Sequence, residues 1–222
     1  MTPSTPVEPA SRRGSGACYR VVVTGGPGGG KTTAADLFRR EIGDRVVVVP
    51  ETATLLFAGG FPRPSPDTEP DAVRSAQQAI FHVQRSLEDI QAAHYRDRLL
   101  LCDRGTVDGA AYWPDGAEDY FVSVGSTHEH ELGRYDAVLF FETAARGGHG
   151  FESENRFRTE TQAQAIELDQ RLRDLWSTHP RFMLIPHSVS FFRKMTMALG
   201  MLESLVAQLE PAPTRRDPDQ AT

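Results

Sequence analysis

The sequence predicts an α/β fold, a five-stranded parallel sheet with helices on both faces. Three observations carry that prediction. Five short apolar runs read as strands buried on both sides, stretches of helical periodicity separate them, and a glycine-rich segment joins the first run to the helix after it. Strands and helices in alternation place a parallel sheet between two helical layers.

The runs are Tyr19–Thr24, Arg45–Val49, Arg98–Cys102, Asp136–Phe141 and Arg181–Ile185. Between the first two, Lys31–Glu41 reads as a helix, and Thr52–Phe57 as a short one after the second. Asp71–Tyr95 sets Val73, Ala76, Ile80, Val83, Leu87 and Ile90 at steps of three and four, an apolar stripe along one helix face. A second row on that helix, Gln77, Phe81, Gln84 and Glu88, reads as a partly exposed face, although a ring between amides would also suit a planar, hydrogen-bonding base. Thr161–Trp176 repeats the helical pattern with Ala165, Leu168, Leu172 and Leu175, with Thr159 and Gln162 as its capping box. Phe192, Met195, Leu199, Leu202, Val206 and Leu209 define a last helix. Two long connections, Gly59–Pro70 with four prolines and Thr143–Arg158 with glycines and arginines, are the loops with room for function. Residues 1–17 and 210–222, rich in Pro, Ser, Ala and charged residues, are expected to be a disordered leader and tail around one domain spanning 18–209.

With 39% hydrophobic residues, the 222-residue chain supports one substantial core. A formal charge of −6 argues against a general nucleic-acid binder, which needs a basic face. Apolar runs such as Val46–Val49 and Val138–Phe141 are far too short to cross a bilayer, and no secretory apolar segment is evident. Cys18 and Cys102 fit no disulfide or metal framework and read as reduced thiols, so a cytoplasmic protein without membrane or nucleic-acid partners is expected. The His128-Glu129-His130-Glu131 run offers no third metal ligand and reads as a solvated loop. Oligomeric state leaves no mark in the sequence.

The chemistry concentrates at Gly25-Gly26-Pro27-Gly28-Gly29-Gly30-Lys31-Thr32-Thr33. Phosphate needs many donors at close range. Five glycines among six residues let backbone N–H groups turn inward, and the helix starting at Lys31 adds the positive end of its dipole. This is a P-loop in strand–loop–helix context: Lys31 reaches the β- and γ-phosphates, and the Thr32 hydroxyl ligates magnesium. The metal also requires a carboxylate at the end of a neighbouring strand. Asp103 and Glu142 both fit, and Asp103 is preferred because Arg104 and Gly105 follow it in a tight charged corner. The expected cofactors are Mg2+ and ATP. Asn155 is the only asparagine, so an NKxD guanine-reading motif is absent, which favours ATP and leaves GTP as the other candidate.

Val48-Val49-Pro50-Glu51-Thr52 and Cys102-Asp103-Arg104-Gly105 resemble the P-loop small-molecule kinases, including the deoxynucleoside kinases. With Gln84 and Glu88, Tyr135-Asp136-Ala137-Val138 and Asn155-Arg156-Phe157-Arg158-Thr159-Glu160, the pattern is similar to a small AAA-like domain family. That family groups the ribosylnicotinamide kinase domain with the translocation-defect GTP-binding proteins. The resemblance covers Tyr19 to Val206 and implies a P-loop NTPase fold with a mobile Arg/Gly-rich lid. It raises the expectation of phosphoryl transfer without settling it, because the family mixes kinases with regulatory nucleotide binders.

A hydroxyl acceptor benefits from a base, and Glu51 stands at the carboxyl end of the second strand, where ligands of open parallel sheets gather. Arg104 reads as an acceptor or phosphate contact, or else as a surface ion pair with Asp108. Arg146, Arg156 and Arg158 are candidates to close over the γ-phosphate, a role worth about 10³–10⁵ in rate for comparable arginines. The leading expectation is an ATP-dependent kinase acting on a small, nucleoside-like hydroxyl compound. A regulatory ATP- or GTP-binding module is the alternative.

Overall fold

The computed structural model describes residues 18–65, 69–147, 161–188 and 190–209. Five strands form one sheet: β1 Tyr19–Thr24, β2 Val46–Val49, β3 Leu99–Asp103, β4 Ala137–Phe141 and β5 Phe182–Ile185. Each lies within a residue of its expected bounds. Their order is β2-β3-β1-β4-β5, and every neighbouring pair is parallel. β1 is therefore central, and the chain crosses to opposite sides of it, which makes its carboxyl end the switch point where such sheets bind ligands.

The strand residues alternate between two cores, as a pleat requires. Val21, Val23, Leu99, Leu101, Ala137, Leu139 and Phe141 face one layer. It is built from α1 (Lys31–Ile42) through Ala34, Ala35 and Phe38, and from α7 (Phe191–Leu209) through Met195, Ala198 and Leu202. Val22, Leu100, Cys102, Val138 and Phe140 face the other. There α3 (Pro70–His94) contributes Phe81, α4 (Ala117–Ser123) contributes Tyr120 and Phe121, and α6 (Gln162–Trp176) contributes Leu168, Leu172 and Trp176. The short α2 (Thr52–Ala58) follows β2, and α5 (His128–Leu132) precedes β4. Among the described residues, no helix is long and apolar enough to cross a membrane.

Four expectations change. On α3 the expected stripe is buried at Val73 and Ala76, but further along the row of Phe81, Gln84 and Glu88 takes the interior and Ile90 is exposed. Glu88 enters the interior because, with no exposed surface, it accepts from Tyr135 Oη (2.8 Å), Gln84 Nε2 (3.1 Å) and Arg134 Nη2 (2.8 Å), a buried polar seam. The HEHE run is not a loop but α5, capped by Thr127, and it sends Glu131 inward to Thr106, Ser126 and Arg85. The capping box of α6 belongs to Thr161 and Gln164, because the Thr-x-x-Gln spacing recurs two residues later and the helix starts there. Phe192, assigned to the core stripe of α7, is 81% exposed, and Leu205 takes the interior with Leu202 and Val206. Cys102 is buried and Cys18 half-buried, its thiol directed to Arg98 O at 3.2 Å, and both are free.

Candidate functional site

β1 ends at Thr24 and the chain turns at once. Gly25 has φ +125°, and a side chain there would collide with the Phe141 carbonyl, so the tight turn excludes every other residue. A Cβ on Gly26 would stand 2.6 Å from Asp169 Oδ1. Gly28 and Gly30 also have positive φ, and Gly30 caps α1 in the left-handed conformation. The cradle thus opens at a helix N-terminus whose first amides lack helical partners, an arrangement suited to polyphosphate. Two loop amides are engaged within the protein, and of these Gly29 N donates to Gly26 O at 3.4 Å. Gly26 N donates outward to the buried Asp169 Oδ1 (3.0 Å), which also takes Thr143 N (2.9 Å).

Lys31 is buried, its Nζ donating to Gly26 O at 2.7 Å. Burial, then the Arg104 charge, push its amine down to about 7 against Asp103, Glu51 and Asp108. Thr32 Oγ1 donates to Asp103 Oδ2 at 3.0 Å. Burial and the Glu51 charge raise the Asp103 carboxyl to about 6, against Lys31, Arg104 and the Thr32 bond. A hydroxyl and a carboxylate at this spacing are hard oxygen donors that could hold Mg2+, with phosphate and water completing its shell. Glu142, the other carboxylate candidate, faces away: its Oε2 accepts His187 N (2.8 Å), and its Oε1 lies 3.5 Å from Arg146 Nε.

Arg104 holds φ +69°, the left-handed region that a non-glycine residue rarely enters. Its backbone is pinned there by Arg104 N donating to Val23 O (3.0 Å) and Gln84 Nε2 donating to Arg104 O (3.3 Å). The side chain forks between Glu51 Oε1 (2.5 Å) and Asp108 Oδ2 (3.1 Å). The pair with Asp108 exists, then, but it is buried rather than superficial. Burial works against the Glu51 carboxylate, yet Arg104, the Thr54 hydroxyl and Lys31 hold its pKa below the usual value. Gln84 spends its carbonyl on Thr52 Oγ1 (2.6 Å) and its amide on Glu88 and Arg104, so it fastens α3 to the site.

These groups share one cavity of about 930 Å³. Pro27, Gly30, Lys31, Thr32 and Thr33 line its phosphate end, with Glu51, Asp103 and Arg104 at the middle. Phe57, Phe81, Tyr112 and Tyr120 line the cavity as an aromatic wall, with Gln77 among them. Of the second-loop arginines, Arg146 donates to Asp169 Oδ2 (3.3 Å) and Gln170 Oε1 (3.0 Å), while Arg156 and Arg158 lie outside the described residues. Sequence reasoning offered Asp108 only as a surface partner of Arg104 and missed Asp169 and Trp176, since nothing in their spacing separates them from ordinary helix residues.

Comparison with solved structures returns deoxyadenosine kinase from M. mycoides with bound dATP, with a TM-score of 0.58 and 12% identity over 83% of this chain and 99% of that one. It also returns shikimate kinase from Acinetobacter baumannii in complex with shikimate, with a TM-score of 0.49 and 14% identity over 87% and 96%. No curated protein sequence matches the chain. The sequence profile of the AAA domain matches residues 20–193. On that match over most of its length, the chain belongs to the AAA domain family of P-loop proteins.

Proposed function

We propose that this protein is a magnesium- and ATP-dependent phosphotransferase acting on a hydroxyl of a small, nucleoside-like molecule. The observation that carries the reading is the single cavity that joins the phosphate cradle to Glu51, Arg104 and an aromatic wall. Transfer between two oxygens depends on holding them in line and on neutralising charge. In this reading Lys31 and the glycine-loop amides hold the nucleotide, and Thr32 with Asp103 hold the metal, which supplies positive charge between the phosphates when bound. Glu51 accepts the proton of the acceptor hydroxyl, and Arg104 orients Glu51. The wall of Phe57, Phe81, Tyr112 and Tyr120 suits a flat ring, and Gln77 brings an amide beside it. Arg156 and Arg158 remain the proposed lid cations. The likeness to a kinase fold is consistent with this reading and adds no substrate to it.

One observation favours a second reading, a regulatory nucleotide-binding module. Glu51 is engaged by Arg104 and Thr54, an arrangement that would also serve a purely structural carboxylate. A screen of nucleosides and other small alcohols with Mg-ATP, reading phosphorylated product by mass, separates the two. Product supports transfer, and nucleotide binding without product from a broad panel supports the module.

A further inference from the structure

We propose that Asp108 is the positioning residue of Arg104, anchoring its guanidinium beside Glu51 and tying it to the ends of β1 and α6. The proposal rests on the phosphotransfer reading for its kinetic consequence and on geometry alone for the anchoring itself.

Asp108 begins the turn 108–112 after β3 and is buried, with 4% of its surface exposed. A buried carboxylate needs compensating donors, and this one has them from three directions. Thr24 Oγ1 donates to Oδ1 (2.8 Å) and Oδ2 (2.9 Å), Trp176 Nε1 donates to Oδ1 (2.6 Å), and Arg104 Nη1 donates to Oδ2 (3.1 Å). Thr24 is the last residue before the glycine loop, and Trp176 is the last residue of α6, fully buried. Both partners are fixed by the core, so the carboxylate they hold is fixed with them.

Glu51, on the other side of the guanidinium, is built differently. Its side chain is 25% exposed against 5% for Asp108, and its remaining bond is to Thr54 Oγ1 one helical turn away. Of the two carboxylates on Arg104, one is locked into the core and the other, more exposed, lines the cavity. A base must reach its acceptor and let go of it. If Arg104 were held by Glu51 alone, each such movement would release the arginine. With Asp108 in place the arginine stays and only Glu51 moves.

The test follows Arg104 directly. In low-temperature nitrogen-15 spectra of arginine side chains, the Arg104 Nη1 signal, from the nitrogen that donates to Asp108, is identified by its loss in Arg104→Lys. In folded Asp108→Asn its exchange with solvent should speed up at least about tenfold, a change set by the loss of a charge-assisted bond. Thr24→Val, which removes a donor from the same carboxylate and leaves the ion pair, should change it less than about threefold. Glu51→Gln should also leave it within about threefold, since the anchor remains. With an acceptor in hand, Asp108→Asn should lower kcat by about 10–100-fold while nucleotide KM stays within about threefold, the split of a group that acts on orientation. Unchanged Arg104 exchange in folded Asp108→Asn would overturn the proposal. So would rapid exchange in Glu51→Gln, which needs no Asp108 variant to fold. Absence of turnover in the parent protein would count against the transfer reading instead, and the exchange comparison would still decide the anchor.

Discussion

Thr32 Oγ1 donates to Asp103 Oδ2 at 3.0 Å, joining a helix start to a strand end 71 residues apart in sequence. The sheet brings this about. Parallel pairing sets Val23 of β1 opposite Asp103 of β3, so the strand that feeds the glycine loop and the strand that delivers the carboxylate end at the same height. α1 then returns Thr32 to that edge.

If these two oxygens hold the metal, Asp103→Asn should raise the magnesium concentration for half-maximal nucleotide binding by about 10–100-fold, the usual cost of disturbing a ligand shell. Affinity for metal-free nucleotide should hardly change. Magnesium titrations followed by calorimetry check this, and superimposable curves for parent and variant would remove Asp103 from the metal site.

Lys31 sets a pH dependence. Its amine titrates at about 7 in the free site, because burial and Arg104 disfavour the charge, whereas phosphate would favour it. Binding above pH 7 must then take up a proton, so nucleotide affinity should fall as pH rises, by up to about tenfold per unit. Calorimetry in two buffers of different ionisation enthalpy reads that uptake, and Lys31→Met should abolish it together with about 10- to 100-fold in affinity. Uptake that persists in the variant would assign the proton to another group.

The Glu88 seam predicts a stability effect. Removing this carboxylate leaves Arg134, with 9% of its side chain exposed, without its main partner. Glu88→Ala should cost about 3–5 kcal/mol in urea denaturation, as breaking buried pairs does. A loss below about 1 kcal/mol would mean that Glu131 and Asp89 replace it.

The strands and the phosphate loop were legible because their signals are local. Runs such as Val46–Val49 and Leu99–Asp103 need only a strand's length to declare themselves, and Gly25 is dictated by its own turn. The face of α3 was legible only at Val73 and Ala76, because Glu88 enters the interior through partners as distant as Tyr135 and Arg134. Glu131 was hidden for the same reason: its donors, Thr106 and Arg85, come from other elements. Asp108 was read as a surface partner of Arg104, since its bonds to Thr24 and Trp176 span 84 and 68 residues. Local pattern finds what the backbone demands, and tertiary packing decides where polar side chains are buried.

The most direct test of phosphoryl transfer measures product and nucleotide affinity together on the parent protein and Glu51→Gln. Both are incubated with Mg-ATP and a panel of nucleosides and small alcohols, and phosphorylated product is read by mass. The parent should phosphorylate at least one acceptor. Glu51→Gln should slow that transfer by about 10²–10⁴-fold, the range of a general base, with ATP affinity within about threefold of the parent. Bound nucleotide with no phosphorylated acceptor, or equal transfer by both proteins, would contradict the account.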